Sequence, residues 1–184
     1  MNEVIQALFE VDQQERKEHP VYGSPEYWRL RERDAQRRRQ LLEIIENNGL
    51  SAPEDYYHAA MVFQHGETVV EIQLAHTLAK HGAELGYRPA RWLAAASLDR
   101  WLMYQGKPQK YGTQVVPDGK KQRVWDVDPT TTDRDRAKWD VPPLAEMHQR
   151  AEQVTKTEPM PPMDHVPWWL KEAIKRWSAE EDAQ

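Results

Sequence analysis

Residues 88–114 read RPARWLAAASLDRWLMYQGKPQKYGTQ. The first part predicts a helix over Arg91–Gln105. Pro89 suits a first helical turn, where its missing N–H is no loss, and Gly106 followed by Pro108 stops the helix. Trp92, Ala96, Asp99 and Met103 fall on one stripe at 3.6-residue spacing. Leu98, Trp101, Leu102 and Gln105 fall on another. A helix that is apolar on most sides belongs at the centre of a helical body. The stretch therefore decides for a mainly α fold. It also carries Asp99 and Arg100. A buried, unpaired carboxylate costs several kcal/mol, so Asp99 needs a partner. Two partners are open: other helices, which would make the residue structural, or a histidine or ligand in a pocket. Arg100 points about 100° away round the helix and serves a different partner. Beyond the helix, Gln109, Tyr111, Gly112, Thr113 and Gln114 offer amides, a phenol and a hydroxyl around a flexible glycine. They suit an amide, carboxylate or peptide-like ligand, and equally the backbone of neighbouring helix ends.

Upstream the pattern is helical throughout. Residues 2–18 are amphipathic, with Val4, Ile5, Leu8 and Phe9 on a face that extends to Asp12. Asp12 and Arg16 stand four apart and pair on the helix surface. Ser24-Pro25-Glu26 opens a second helix that runs to Asn47, where Asn48 and Gly49 follow as its cap. Arg37, Arg38 and Arg39 lie between Asp34 and Glu43, which predicts a solvated helix face rather than a nucleic-acid patch. A third helix spans Asp55–His65, and Thr68 caps a fourth over 69–85. Small Ala75, Ala79 and Ala83 at its crossings suggest stacked helical hairpins.

Downstream, Thr113–Val116 and Gln122–Val127 are strand-like and flank Pro117-Asp118-Gly119, a hairpin turn signal. Residues 129–140 are polar, irregular or one short helix starting near Thr132. A helix follows over Pro142–Thr155. Residues 158–167 are dense in proline, with Pro159, Pro161, Pro162 and Pro167, and predict a linker. Residues 168–184 predict a closing helix with Trp169, Leu170, Ala173, Ile174 and Trp177 on one face. Such a face docks on the body or on a partner. The expected organisation is one helical domain over 1–157, with its hairpin near 111–127, then the linker and the closing helix.

Composition narrows the function classes. The net charge is −5, without a basic excess, which argues against nucleic-acid binding. There is no cysteine, so disulfides, thiolate metal sites and a cysteine nucleophile are excluded. No apolar run approaches a membrane span, and the start lacks a secretory pattern, which predicts a cytoplasmic protein. His58 and His65 are two turns apart on one helix, and His76 and His81 splay, so no metal and no cofactor are expected. Ser97 and Thr113 lack a nucleophile elbow. His65 ends a helix next to Gly66. There a cation is favoured, and the imidazole either caps carbonyls or serves as a base.

Asp12-Gln13-x-x-Arg16, Gln64-His65-Gly66, Asp99-Arg100 and Gly106-Lys107-Pro108-Gln109-x-Tyr111-Gly112-Thr113-Gln114 together resemble an uncharacterised bacterial family, a domain of unknown function. The resemblance runs from the start of the chain to just past Pro142-Pro143-Leu144. It implies a mostly helical bacterial protein, with no activity attached. It leads to the expectation that these polar residues converge in one pocket for a small polar or peptide-like ligand. In that pocket His65 is the base and Asp99 its orienter. Arg16 and Arg100 clamp an anion, and Asp12, Gln109, Tyr111, Thr113 and Gln114 bind the ligand. The alternative is a non-catalytic interaction domain. In it the polar residues form a buried structural network and the tryptophan-rich closing helix docks on a protein partner.

Overall fold

A computed structural model describes residues 1–17, 20–21 and 23–183. The expected ends of the first helix at residue 18 and of the closing helix at residue 184 lie outside the described residues. Among those described, the chain forms eight helices and one two-stranded antiparallel hairpin, the mainly α architecture that the sequence implied. The chain divides into two compact units, Met1–Leu98 and Asp99–Gln184, and the division falls inside a helix.

The first unit holds α1 (Glu3–Arg16), α2 (Pro25–Glu46), α3 (Pro53–Gln64), α4 (Val69–Glu84) and the opening of α5 (Pro89–Met103). Each start has a local cause. The Asn2 side chain accepts the Val4 and Ile5 N–H groups, and Ser24 accepts that of Tyr27. Thr68 and Glu71 form a reciprocal capping box at α4. Asp55, fully buried in the first turn of α3, accepts from the backbone N–H groups of Asn2, Ser51 and Ala52. That carboxylate ties the start of α1 to the start of α3. The core includes Ile5, Leu41, Phe63 and Ile72, all at 0% exposure. Where α3 crosses α4, a Cβ on Gly82 would stand 3.2 Å from the Pro53 carbonyl oxygen and 3.3 Å from Tyr56 Cβ. The crossing closes because glycine leaves that space empty.

One expectation fails in α2. Arg37 and Arg38 are buried rather than solvated, at 5% and 3% exposure, whereas Arg39 is exposed. A guanidinium leaves water only when its donors find fixed acceptors. Here Asp34 of the same helix, Glu15 of α1 and Glu71 of α4 provide them. In α5, Leu93 to Ser97 are buried, but Trp92 on the expected inner stripe is 41% exposed.

The second unit opens with the last turns of α5. It continues through β1 (Val115–Pro117), β2 (Gln122–Val124), α6 (Asp133–Ala137), α7 (Leu144–Thr157) and α8 (Trp168–Asp182). The register pairs Val115 with Val124, Val116 with Arg123 and Pro117 with Gln122. Pro117 thus lies in a strand rather than in the turn. Its missing N–H falls at a non-hydrogen-bonded pair and costs the ladder nothing. An isolated two-stranded ribbon is marginal in water. Here α7 covers one face, with Val124 against Met147 and Ala151. The other face meets α8: Val116 and Trp125 pack with Trp169, Leu170, Ala173 and Trp177. Trp125 meets Trp169 and Trp177 edge-on, each at 5.5 Å between centroids. The apolar face of α8 is therefore covered within its own unit. Met163 and Val166 of the proline-rich segment also pack on this cluster.

Candidate functional site

The residues singled out in the sequence fall into two groups, one in each unit. Asp12, Arg16 and His65 meet in the first unit. Asp99, Gln109, Tyr111, Thr113 and Gln114 meet in the second.

In the first unit α1 supplies Asp12 and Arg16, α2 supplies Arg31, Asp34, Arg37 and Arg38, and the α3–α4 turn supplies Gln64, His65, Glu67 and Glu71. Asp12 and Asp34 are buried, at 0% and 1% exposure, so their pairing with arginines belongs to the interior. The Arg16 guanidinium donates to Asp12 Oδ1 at 3.1 Å and to Asp34 Oδ2 at 2.9 Å. Arg31 donates to Asp34, to Glu67 and to the His65 carbonyl oxygen, which fixes the turn that carries the imidazole. Arg37 pairs with Asp34 and with Glu15. Arg38 Nε donates to Glu71 Oε1 at 2.6 Å. The turn is tight: a Cβ on Gly66 would stand 2.7 Å from Glu71 Cβ. With Nη2 on two carboxylates and Nε on the imidazole, Arg16 holds the cluster together.

The carboxylate on His65 is Asp12, not the expected Asp99. His65 Nδ1 stands 3.0 Å from Asp12 Oδ2 and 2.6 Å from Arg16 Nε. Arg16 Nε always carries a hydrogen, and the Asp12 carboxylate only accepts. One ring nitrogen therefore faces an obligate donor and an obligate acceptor. With Nδ1 unprotonated, Arg16 donates to it. With Nδ1 protonated, it donates to Asp12, and Nε2 becomes the basic nitrogen of the neutral ring. Burial opposes ionisation of Asp12, but the hydrogen bonds and charges of His65 and Arg16 outweigh it and hold its pKa below the usual carboxylate value.

The same cluster holds buried polar atoms without hydrogen-bond partners among the described residues. Gln64, 7% exposed and adjacent to His65, leaves its Oε1 unsatisfied, as Arg38 does its Nη1 and Arg37 its Nε. A native interior satisfies nearly all such groups, with protein, water or ligand.

In the second unit Asp99 is fully buried. Its Oδ1 accepts the N–H groups of Lys110 and Tyr111, at 2.7 and 2.9 Å. Its Oδ2 accepts the Thr113 N–H and hydroxyl, at 2.9 and 2.8 Å. Burial pushes its pKa up, against the pull of these donors. Gln109, also fully buried, is equally committed. Its side-chain amide donates to the Gln114 and Trp125 carbonyl oxygens and accepts the Gln114 N–H. The Tyr111 carbonyl oxygen accepts from Arg136 Nε at 2.9 Å. Arg100 reaches Tyr104 at 3.3 Å and keeps a buried Nε without a partner. The loop's polar groups thus largely fold the loop itself.

The sequence reading missed Arg31, Asp34, Arg37, Arg38, Gln64, Glu67 and Glu71 as members of the first cluster. A signal was present. Arg31, Asp34, Arg37 and Arg38 recur at spacings of three and four on the helix side that also carries buried Leu30 and Leu41. Charges on a core-facing stripe imply internal partners. Among the described residues no group of three or more histidines and carboxylates could hold a metal ion, and no helix is long and apolar enough to cross a membrane. No protein-family model, no curated protein and no solved structure matches the chain.

Proposed function

We propose that the first unit binds a small polar ligand at the turn carrying Gln64 and His65, and that His65 exchanges a proton with that ligand while Asp12 orients the ring. The observation that carries the reading is the combination at Gln64 and His65. An imidazole held on a fully buried carboxylate follows in the chain a glutamine whose buried oxygen has no partner among the described residues. A native interior leaves few such atoms unsatisfied, and a ligand donor would satisfy this one. Acid–base work needs a ring held in one orientation, and the Asp12 carboxylate supplies that hold. Asp34, Arg16, Arg31 and Arg37 act as the frame. Gln64 recognises a donor such as an amide, ammonium or hydroxyl, because its free atom is an acceptor.

The test is a ligand-detected NMR screen of small polar amides, amino acids and dipeptides against the wild type and the separate variants His65→Ala and Gln64→Ala. Hits that disappear in both variants, with melting temperatures unchanged, support the reading. Loss of several degrees of stability in both variants, with no ligand found for the wild type, refutes it.

A second reading is favoured by Asp99 and Gln109, whose side-chain capacity is spent inside the second unit. In that reading the polar residues are structural and the chain is a non-catalytic interaction module. The tryptophan-rich face of α8 is then part of the module's core rather than its docking surface.

A further inference from the structure

Three atoms at the end of α1 form a triangle. Arg16 Nε stands 2.6 Å from His65 Nδ1 and 3.4 Å from Asp12 Oδ2, and Nδ1 stands 3.0 Å from Oδ2. Arg16 Nε always carries a hydrogen, so a second N–H cannot face it at 2.6 Å without the two hydrogens colliding. In this arrangement Nδ1 is therefore unprotonated and accepts from Arg16, and the neutral ring carries its hydrogen on Nε2. The same arrangement holds the Nδ1 lone pair against a carboxylate oxygen at 3.0 Å, acceptor facing acceptor. A proton on Nδ1 converts that mismatch into a charge-assisted hydrogen bond.

That proton has a consequence for Arg16. Asp12 Oδ2 already accepts from Gln13 Nε2 at 2.9 Å. With the ring donating as well, the two lone pairs of Oδ2 are spent, and Arg16 Nε loses both of its acceptors. The Nε end can swing away without unpairing the guanidinium, because Nη2 is held separately by Asp12 Oδ1 at 3.1 Å and Asp34 Oδ2 at 2.9 Å. It also has room: the Arg16 side chain is 25% exposed, against 16% for Arg31, 7% for Arg37 and 4% for Arg38. The other charges of the cluster are tied down. Arg31 holds the His65 carbonyl oxygen and pairs with Asp34 and Glu67. Arg37 pairs with Asp34 and Glu15, and Arg38 with Glu71.

We infer that Arg16 is a proton-displaced latch on His65. Its Nε–H closes Nδ1 in the neutral site, and protonation of Nδ1 swings the guanidinium about Nη2 while the ring donates to Asp12. Arg16 is the last residue of α1, so the swing loosens the end of that helix from the turn that carries His65. The latch deepens the reading of His65 as a proton-exchanging group and rests on it for its role in binding, because it makes the end of α1 answer to the charge on the ring. Its geometry needs no ligand.

The test is NMR on the isotope-labelled full chain, without ligand, from about pH 8 to about pH 5, across the ordinary imidazole midpoint of about 6.5. Ring nitrogen shifts report the tautomer and charge of His65, and a scalar coupling across the hydrogen bond reports the Arg16 Nε to Nδ1 contact. At the alkaline end the ring hydrogen should sit on Nε2 with the coupling present. As pH falls, the coupling should vanish with the same midpoint at which Nδ1 takes up its proton. Arg16→Met should raise that midpoint by about one pH unit, because it removes both a donor competing for Nδ1 and a positive charge. If Arg16→Met does not fold, the coupling in the wild type decides. A hydrogen on Nδ1 or an absent coupling at the alkaline end overturns the latch. So does a coupling that survives protonation of the ring, or an unchanged midpoint in a folded Arg16→Met. A ligand screen without hits refutes binding but leaves these ligand-free signals as they are, so the two failures are told apart.

Discussion

Replacing Asp99 by asparagine tests whether this carboxylate is a folding clamp. Asp99 collects four donors, the N–H groups of Lys110, Tyr111 and Thr113 and the Thr113 hydroxyl, at 2.7–2.9 Å. An asparagine keeps one oxygen, enough for two of them, and turns its NH2 group toward the other two. Each buried donor left without an acceptor costs about 1–3 kcal/mol. Two effects reduce the sum. Burial already disfavours the ion, since the Asp99 pKa is pushed up, so a neutral amide regains part of the desolvation cost. Water also reaches the half-buried Thr113 and the exposed Lys110, whereas the bond to the Tyr111 N–H is buried. The net loss is about 2–3 kcal/mol, a large share of the roughly 5–15 kcal/mol that hold a domain folded. At about 4–8 °C per kcal/mol for a unit of this size, the melting temperature falls by on the order of 10 °C. Calorimetry measures the shift. Hydrogen exchange locates it, with protection lost at amides 110, 111 and 113 before the rest of the unit. A variant that melts with the wild type and keeps those three amides protected would refute the clamp.

Three further outcomes follow from the same geometry. Asp12→Asn removes a buried acceptor from Arg16 and His65 and should cost about 3–5 kcal/mol, the usual penalty for breaking a buried charge pair. Because the Asp12 pKa is depressed in the fold, its stabilisation is present above the unfolded value of 3.8 and is lost as pH falls through the folded pKa. Urea midpoints from neutral pH down to acid should fall less steeply for the variant in that window. His58 stacks on Phe9 at 4.4 Å with its Nδ1 buried and unpartnered, and burial lowers its pKa. The neutral ring is thus the folded form, and stability drops as pH falls below about 6.5, where the unfolded chain takes up the proton. His58→Phe should flatten part of that drop, the rest coming from His76, which is shifted the same way. At Gly112 φ is +88° and a new Cβ would stand 2.8 Å from Leu144 Cδ1. Gly112→Ala should therefore destabilise by about 1–3 kcal/mol in thermal melts.

The helices were legible from the sequence because their causes are local. Pro25, Pro53 and Pro89 in first turns, the Ser24 and Thr68 caps, and the glycines at 86 and 106 act within a turn of where they stand. The tryptophan spacing of α8 likewise fixed its buried face, because 3.6-residue periodicity is a property of one helix. Partners across long separations were not legible. Asp12 and His65 are 53 residues apart, and nothing in either segment favours Asp12 over Asp99 as the carboxylate for His65. Arg37 and Arg38 read as a solvated run because a sequence window records their charge but not Glu15 and Glu71, which other helices bring to them. Chain chemistry alone determined which segments coil and which sides are apolar. Tertiary packing decided which charges pair beyond neighbours on one helix such as Asp12 and Arg16, since burial turns a weak surface attraction into an obligate match between particular atoms.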